Sequence, residues 1–185
     1  MDRVKAEAGR APLPTRILLI CAALAVIQLS TYVLLTPVTT ALAAAAPPAY
    51  ALIAGAHTVL PLTARLVTHR AGTATLTAAF TGIIAAALTP VGWLILVPAL
   101  AAGAAFDLVM PWRARRGSGW RVATAAIAAG VLLFLVSLPV FSSEHLTGGV
   151  LTATLVGRVV GELIAVAIAS RLAWLLARAG VAPAG

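Results

Sequence analysis

The sequence predicts an all-α integral membrane protein of six transmembrane helices with both termini in the cytoplasm, and three observations predict it. First, 62% of its 185 residues are hydrophobic and only 10% are charged, with a mean hydropathy of +1.05, whereas a soluble domain carries about a quarter charged residues. A chain this apolar does not have the polar groups to cover its own surface, which makes lipid its natural solvent. Second, the basic residues gather on alternate connections between apolar runs. Third, tyrosines and tryptophans fall near the ends of those runs, where amphipathic rings meet the headgroups.

The elements follow in chain order. Residues 1–15 form a polar, basic tail with Asp2, Arg3, Lys5, Glu7 and Arg10. Span 1 covers residues 16–36 and is expected to stop at Pro37, because proline breaks the helical ladder. Its apolar run is longer than the roughly 7–15 residues of a signal-peptide core, so it reads as a span rather than a cleaved leader. An apolar, helix-poor connection with Pro47 and Pro48 follows. Span 2 covers 49–67, with Pro61 as an expected kink. Span 3 covers 74–89 and is short. Pro90-Val91-Gly92 reads as a tight turn. Span 4 covers 92–110, and residues 113–119 form a basic loop. Span 5 covers 121–141, 142–149 is a polar loop, and span 6 covers 150–176. The membrane domain therefore occupies 16–178, and 179–185 is a second cytoplasmic tail.

Charge placement sets the expected topology. Arg3, Lys5, Arg10 and Arg16 precede span 1; Arg65 and Arg70 lie between spans 2 and 3; Arg113, Arg115, Arg116 and Arg121 lie between spans 4 and 5; Arg171 and Arg178 close span 6. The connections at 37–48, 90–91 and 142–149 hold no Lys or Arg. This is the positive-inside pattern for six spans. The net charge of +8 thus marks membrane topology and not nucleic-acid binding. Tyr32, Tyr50 and Trp93 fall near outer ends, Trp112, Trp120 and Trp174 near inner ends. The one cysteine, Cys21, allows no disulfide within the chain.

Helices in lipid associate through small residues that let backbones approach. Span 6 carries a ladder, Ala153, Gly157, Gly161, Ala165 and Ala169, which reads as a packing face. Span 3 has Ala78, Gly82 and Ala86, span 4 has Ala99 and Gly103, and span 1 has Cys21, Ala22, Ala23 and Ala25. Such faces serve equally to dock a partner helix.

An ionisable group inside a span is costly and marks a functional candidate. Arg158 is the one Lys or Arg that lies well inside a span and not near its cytoplasmic end. Arg158 and Glu162, four apart on span 6, are able to touch, at roughly 12 and 18 Å from Val150 along the helix. They are either a self-satisfied ion pair or the charged lining of a cavity open to the outside. His57 lies at similar depth on span 2, as a hydrogen-bonded core residue or a ligand contact, with Gln28 a weaker candidate on span 1. Tyr50 and Trp93 either stack on a flat ligand ring or anchor at the interface. Asp107, near the inner end of span 4 and level with Arg65, Arg70 and Arg113, reads as a structural ion pair with Arg65. The chain has no phosphate-binding loop, no His-Glu-x-x-His, no paired carboxylates, and its Gly-Ser-Gly at 117–119 sits among arginines. It reads as no enzyme, and no metal or cofactor is implied.

The stretch Tyr50-Ala-Leu-Ile-Ala-Gly-Ala-His-Thr-Val-Leu-Pro-Leu-Thr-Ala-Arg, then His69-Arg-Ala-Gly-Thr-Ala, Pro90-Val-Gly-Trp and Ala101-Ala-Gly-Ala-Ala-Phe-Asp resembles the substrate-binding S components of energy-coupling factor (ECF) vitamin transporters. The resemblance covers about residues 45–110 and is closest to the branch associated with thiamine or its hydroxymethylpyrimidine precursor. It implies a plasma-membrane subunit that holds a vitamin-like molecule near its outer face. It also implies partners, a transmembrane coupling protein and two cytoplasmic ATPases, with Cys21, Ala22 and Ala25 and Ala78, Gly82 and Ala86 on the docking faces. Aromatic residues are only 5% of the chain, a departure from the dense aromatic pocket of a thiamine binder. The residues alone leave two alternatives, a free-standing ion-coupled permease titrating Glu162 and a scaffold subunit without ligand.

Overall fold

The computed structural model describes residues 14–89, 92–110, 119–145 and 147–181. Several expectations lie outside those residues: the tail with Arg3, Lys5 and Arg10, the Pro90-Val91 part of the turn, Trp112, the basic loop with Arg113, Arg115 and Arg116, and the last four residues of the second tail. Every described regular element is helical.

The first helix, α1 (Thr15–Ala45), passes straight through Pro37, so the expected stop there is corrected. Proline removes one N–H from the ladder, and the threonines around it turn inward. Thr36 Oγ1 donates to Tyr32 O at 2.6 Å and Thr39 Oγ1 to Leu35 O at 3.0 Å. Those hydroxyls satisfy themselves on the helix, and the cost of the proline falls on Val33 O, the carbonyl its N–H would have met. The helix-poor connection is likewise corrected. It is the single residue Ala46, with φ −151° and ψ 75°, and α2 (Pro47–Ala54) starts at once with a proline in its first turn.

Span 2 is two helices. Between α2 and α3 (Val59–Thr68) lies a tight 3₁₀ turn, Gly55–Thr58. The kink expected at Pro61 therefore falls in the turn before it, where the missing proline N–H deprives the ladder of a rung. Then come α4 (Thr73–Leu88), a 3₁₀ turn at Gly92–Ile95, α5 (Leu96–Val109), α6 (Gly119–Ser137) and α7 (Gly148–Arg178), close to spans 3 to 6 as expected. The stretches 15–45, 47–68, 92–109, 119–140 and 148–178 are long and apolar enough to cross a membrane, while α4 is the shorter apolar helix. Large apolar side chains such as Leu34, Leu94 and Leu108 point outward. Length, composition and this apolar exterior together describe a multi-pass membrane protein.

Two ends of the bundle differ in chemistry. At one end Arg16 Nη2 donates to Gly180 O at 3.0 Å, a cation placed on the carbonyl end of α7. Both described chain ends thus lie on the same side. Arg65 and Asp107 pair there at 3.2 Å, and Arg121 and Arg178 lie over Trp120 and Trp174 at 5.3 and 4.5 Å. Asp107 also caps a neighbouring helix. Its Oδ2 accepts from the Thr75 N–H at 2.8 Å and from the Thr75 hydroxyl at 2.7 Å, in the first turn of α4, whose own N-cap residue, Gly72, has no side chain to offer. This approach depends on Gly103, where a Cβ would stand 2.7 Å from Thr75 Cα.

The span 6 ladder is a packing face as expected, from Gly157 onward. Gly161 meets α2 so closely that a Cβ would lie 2.5 Å from Leu52 O, and Gly55 faces Gly161 O at the same distance. Ala165 and Ala169 are buried against α3, α5 and α6 in the largest apolar cluster, but Ala153 is exposed.

Candidate functional site

At the other end, away from the arginine-rich side, α1, α2, the start of α3, α4, the 3₁₀ turns at 55–58 and 92–95, α5 and α7 line a cavity of about 270 Å³. Its position follows from the interrupted second span. The 3₁₀ turn at Gly55–Thr58 swings His57 and Thr58 onto the cavity wall. Tyr32, from α1, stacks on the His57 ring with centroids 4.1 Å apart and planes 24° from parallel. Tyr50 lines the cavity as well and meets Phe141 edge-on at 6.3 Å.

Arg158 is the charged side chain on this wall. Its Nη2 is 3.6 Å from Glu162 Oε1, while its Nε is buried with no hydrogen-bond partner. Glu162 does not line the cavity. It is fully buried behind Arg158, and its Oε2 accepts from the Thr58 hydroxyl at 2.7 Å. The two alternative readings of this pair therefore divide between its members: the arginine faces the cavity and the carboxylate holds it in place. His57 Nδ1 is also buried without a hydrogen-bond partner.

The remaining expected site residues fall elsewhere. Trp93 is 68% exposed and points away, and its neighbours Leu94 and Ile95 line the cavity instead. Exposure of a tryptophan at a helix end fits interfacial anchoring, so stacking on a ligand is corrected for Trp93. Gln28 does not reach the cavity. It is 0% exposed and bonds backbone at the interruption of span 2, accepting from Leu60 N at 3.0 Å and donating to Ala56 O at 3.2 Å. Of the residues expected on a docking face, Cys21, Ala25, Gly82 and Ala86 are buried within the bundle, and Ala78, also buried, borders the cavity instead. The small residues there let α1, α4 and α5 close on one another. Ala22 is the member at the surface, in a shallow apolar groove with Val26, Ile83 and Ile84. The structural ion pair of Asp107 with Arg65 is present as expected.

Sequence reasoning missed Tyr32 as a cavity residue, along with Thr36, Thr39, Thr58 and Thr81. The signal for Tyr32 was its place one turn beyond Gln28 on the same face of α1.

No protein-family model matches the chain and no curated protein matches it. Among solved structures it is similar to one described as the crystal structure of an S-component of ECF transporter, with a TM-score of 0.82 and 23% identity over 92% of this chain and 88% of that one. The two chains share a fold.

Proposed function

We propose that this chain is the substrate-binding subunit of an ECF-type importer for a vitamin or vitamin precursor. The observation that carries the reading is the cavity itself, a site with a stacked Tyr32–His57 wall and a held arginine, in a chain with the fold of an S component. In this reading a transmembrane coupling protein and two cytoplasmic ATPases deliver the ligand inward, and the arginine-rich end with both termini faces the cytoplasm, as the positive-inside rule has it. The groove beside Ala22, between α1 and α4, is where the coupling protein docks.

The wall also describes its ligand. Each threonine hydroxyl has one proton, and those of Thr36, Thr39, Thr58 and Thr81 are given to carbonyls or to Glu162. To a ligand they offer lone pairs, while Arg158 offers N–H groups. The complement is a small planar ring with amino or hydroxyl donors and an acceptor for the guanidinium, stacked on the aromatic pair. Thiamine and its hydroxymethylpyrimidine precursor are the first molecules to test. The neutral pyrimidine suits the wall better, because the fixed positive charge of thiamine would share a cavity with Arg158.

Mass spectrometry of the purified, detergent-solubilised chain tests this directly. The expected result is a co-purified or titratable heterocycle, lost in Arg158→Ala and retained in Trp93→Ala. A preparation that binds neither pyrimidine nor thiamine, with no change in melting temperature on adding either, would sink the reading.

A further inference from the structure

In a continuous helix Leu60 N–H would donate to Ala56 O, four residues back. Here the segment is a 3₁₀ turn, Gly55–Thr58, whose bonds run three residues back instead of four. The Gln28 carboxamide bridges the two groups, its Oε1 taking the Leu60 N–H at 3.0 Å and its Nε2 giving a proton to Ala56 O at 3.2 Å. The two partners fix the orientation of the amide, since an N–H needs the oxygen and a carbonyl needs the NH₂. The following rung is missing, because Pro61 has no N–H to give to His57 O. Gln28 is fully buried, in a place where two unpaired backbone groups would be costly. The segment it splints, Gly55–Thr58, carries His57. One turn further along α1, Tyr32 meets that histidine ring face to face.

From this geometry we infer that Gln28 is the positioning residue of the cavity: it bridges Ala56 and Leu60, holds the second span in its 3₁₀ turn at residues 55–58 and so aims His57 at Tyr32 and the ligand. Its action on the ligand rests on the functional reading above; its action on His57 does not. Gln28 touches no ligand. Without its amide the backbone has a cheaper solution, in which Leu60 and Ala56 bond directly, the turn tightens to a regular helix and His57 rotates off Tyr32.

The test uses the full chain in nanodiscs with isotope-labelled histidine. Stacking on Tyr32 shifts the His57 ring signals upfield, and Tyr32→Leu identifies them. In Gln28→Leu the His57 signals are expected to lose that displacement, while those of His69, at the far end of α3, stay in place. Affinity for hydroxymethylpyrimidine is expected to weaken roughly tenfold. His57 signals identical to wild type would overturn the inference. So would displaced signals with unchanged affinity, since the histidine position would then not matter to the ligand. If Gln28→Leu does not accumulate as folded protein, Gln28→Glu, which keeps the Leu60 bond and sets an oxygen against Ala56 O, takes its place with the same readout. If wild type binds no pyrimidine, the functional reading fails and the imidazole signals still decide the role of Gln28.

Discussion

Arg158 and Glu162 sit one turn apart on α7, yet their substitution should have unequal effects. Arg158→Ala strands a carboxylate that is fully buried and leaves it with the Thr58 hydroxyl alone. Breaking such a pair costs about 3–5 kcal/mol. Glu162→Gln removes the charge but keeps an oxygen for Thr58, and the arginine it frees borders the cavity. Melting in detergent without ligand should therefore fall further for Arg158→Ala than for Glu162→Gln, and equal losses would show that the pair is only a structural unit. The sequence placed Arg158 and His57 at a similar depth, because depth follows from the helical rise, and both border the cavity. It counted Gln28 as a weaker ligand contact, left Trp93 open between ligand and interface and passed over Tyr32, because the face a residue presents depends on helix rotation. Rotation is set by packing between distant segments, and in a chain apolar on every side the hydrophobic pattern does not report it.

Helix by helix, small residues determine which elements touch. The ladder on α7 was legible because small residues every four positions mark a contact face, and α2 rests on it at Gly157 and Gly161. Gly161→Ala puts a methyl group 2.5 Å from Leu52 O, where neither backbone is free to yield. We predict a loss of about 1–3 kcal/mol in Gly161→Ala by thermal melting. Gly148→Ala, with nothing within 4 Å of the new methyl, should melt like wild type. Matching melts for the two variants would mean that the helices separate at little cost. What the sequence concealed were the consequences of its prolines. Pro37 does not end α1, which runs on to Ala45. Pro61 marks a break that appears a turn earlier, splinted from another helix by Gln28. A proline states that a rung is missing but not what replaces it.

Across the whole molecule, the apolar runs, their order and the segregation of arginines to one end could be read from composition, since they follow from solvation and not from detailed packing. The shape of the lipid-facing perimeter could not. At 1.5 Å per residue α4, with 16 residues, reaches roughly 24 Å, short of a hydrocarbon layer of about 30 Å, while α1 and α7, with 31 residues each, reach roughly 46 Å. Ile83, Ile84 and Leu88 are exposed on the outside of α4, which opens it to lipid wherever no partner covers it. The protein therefore presents unequal hydrophobic thickness around its circumference, and the bilayer must thin beside α4 or the long helices must tilt. Reconstituted in a series of acyl-chain lengths, the chain should be most heat-stable in the thinner membranes, and a flat response would mean that α4 is shielded from lipid. In a membrane of uneven thickness such a protein would collect where the bilayer is thinnest and would itself pull the leaflets together on one flank.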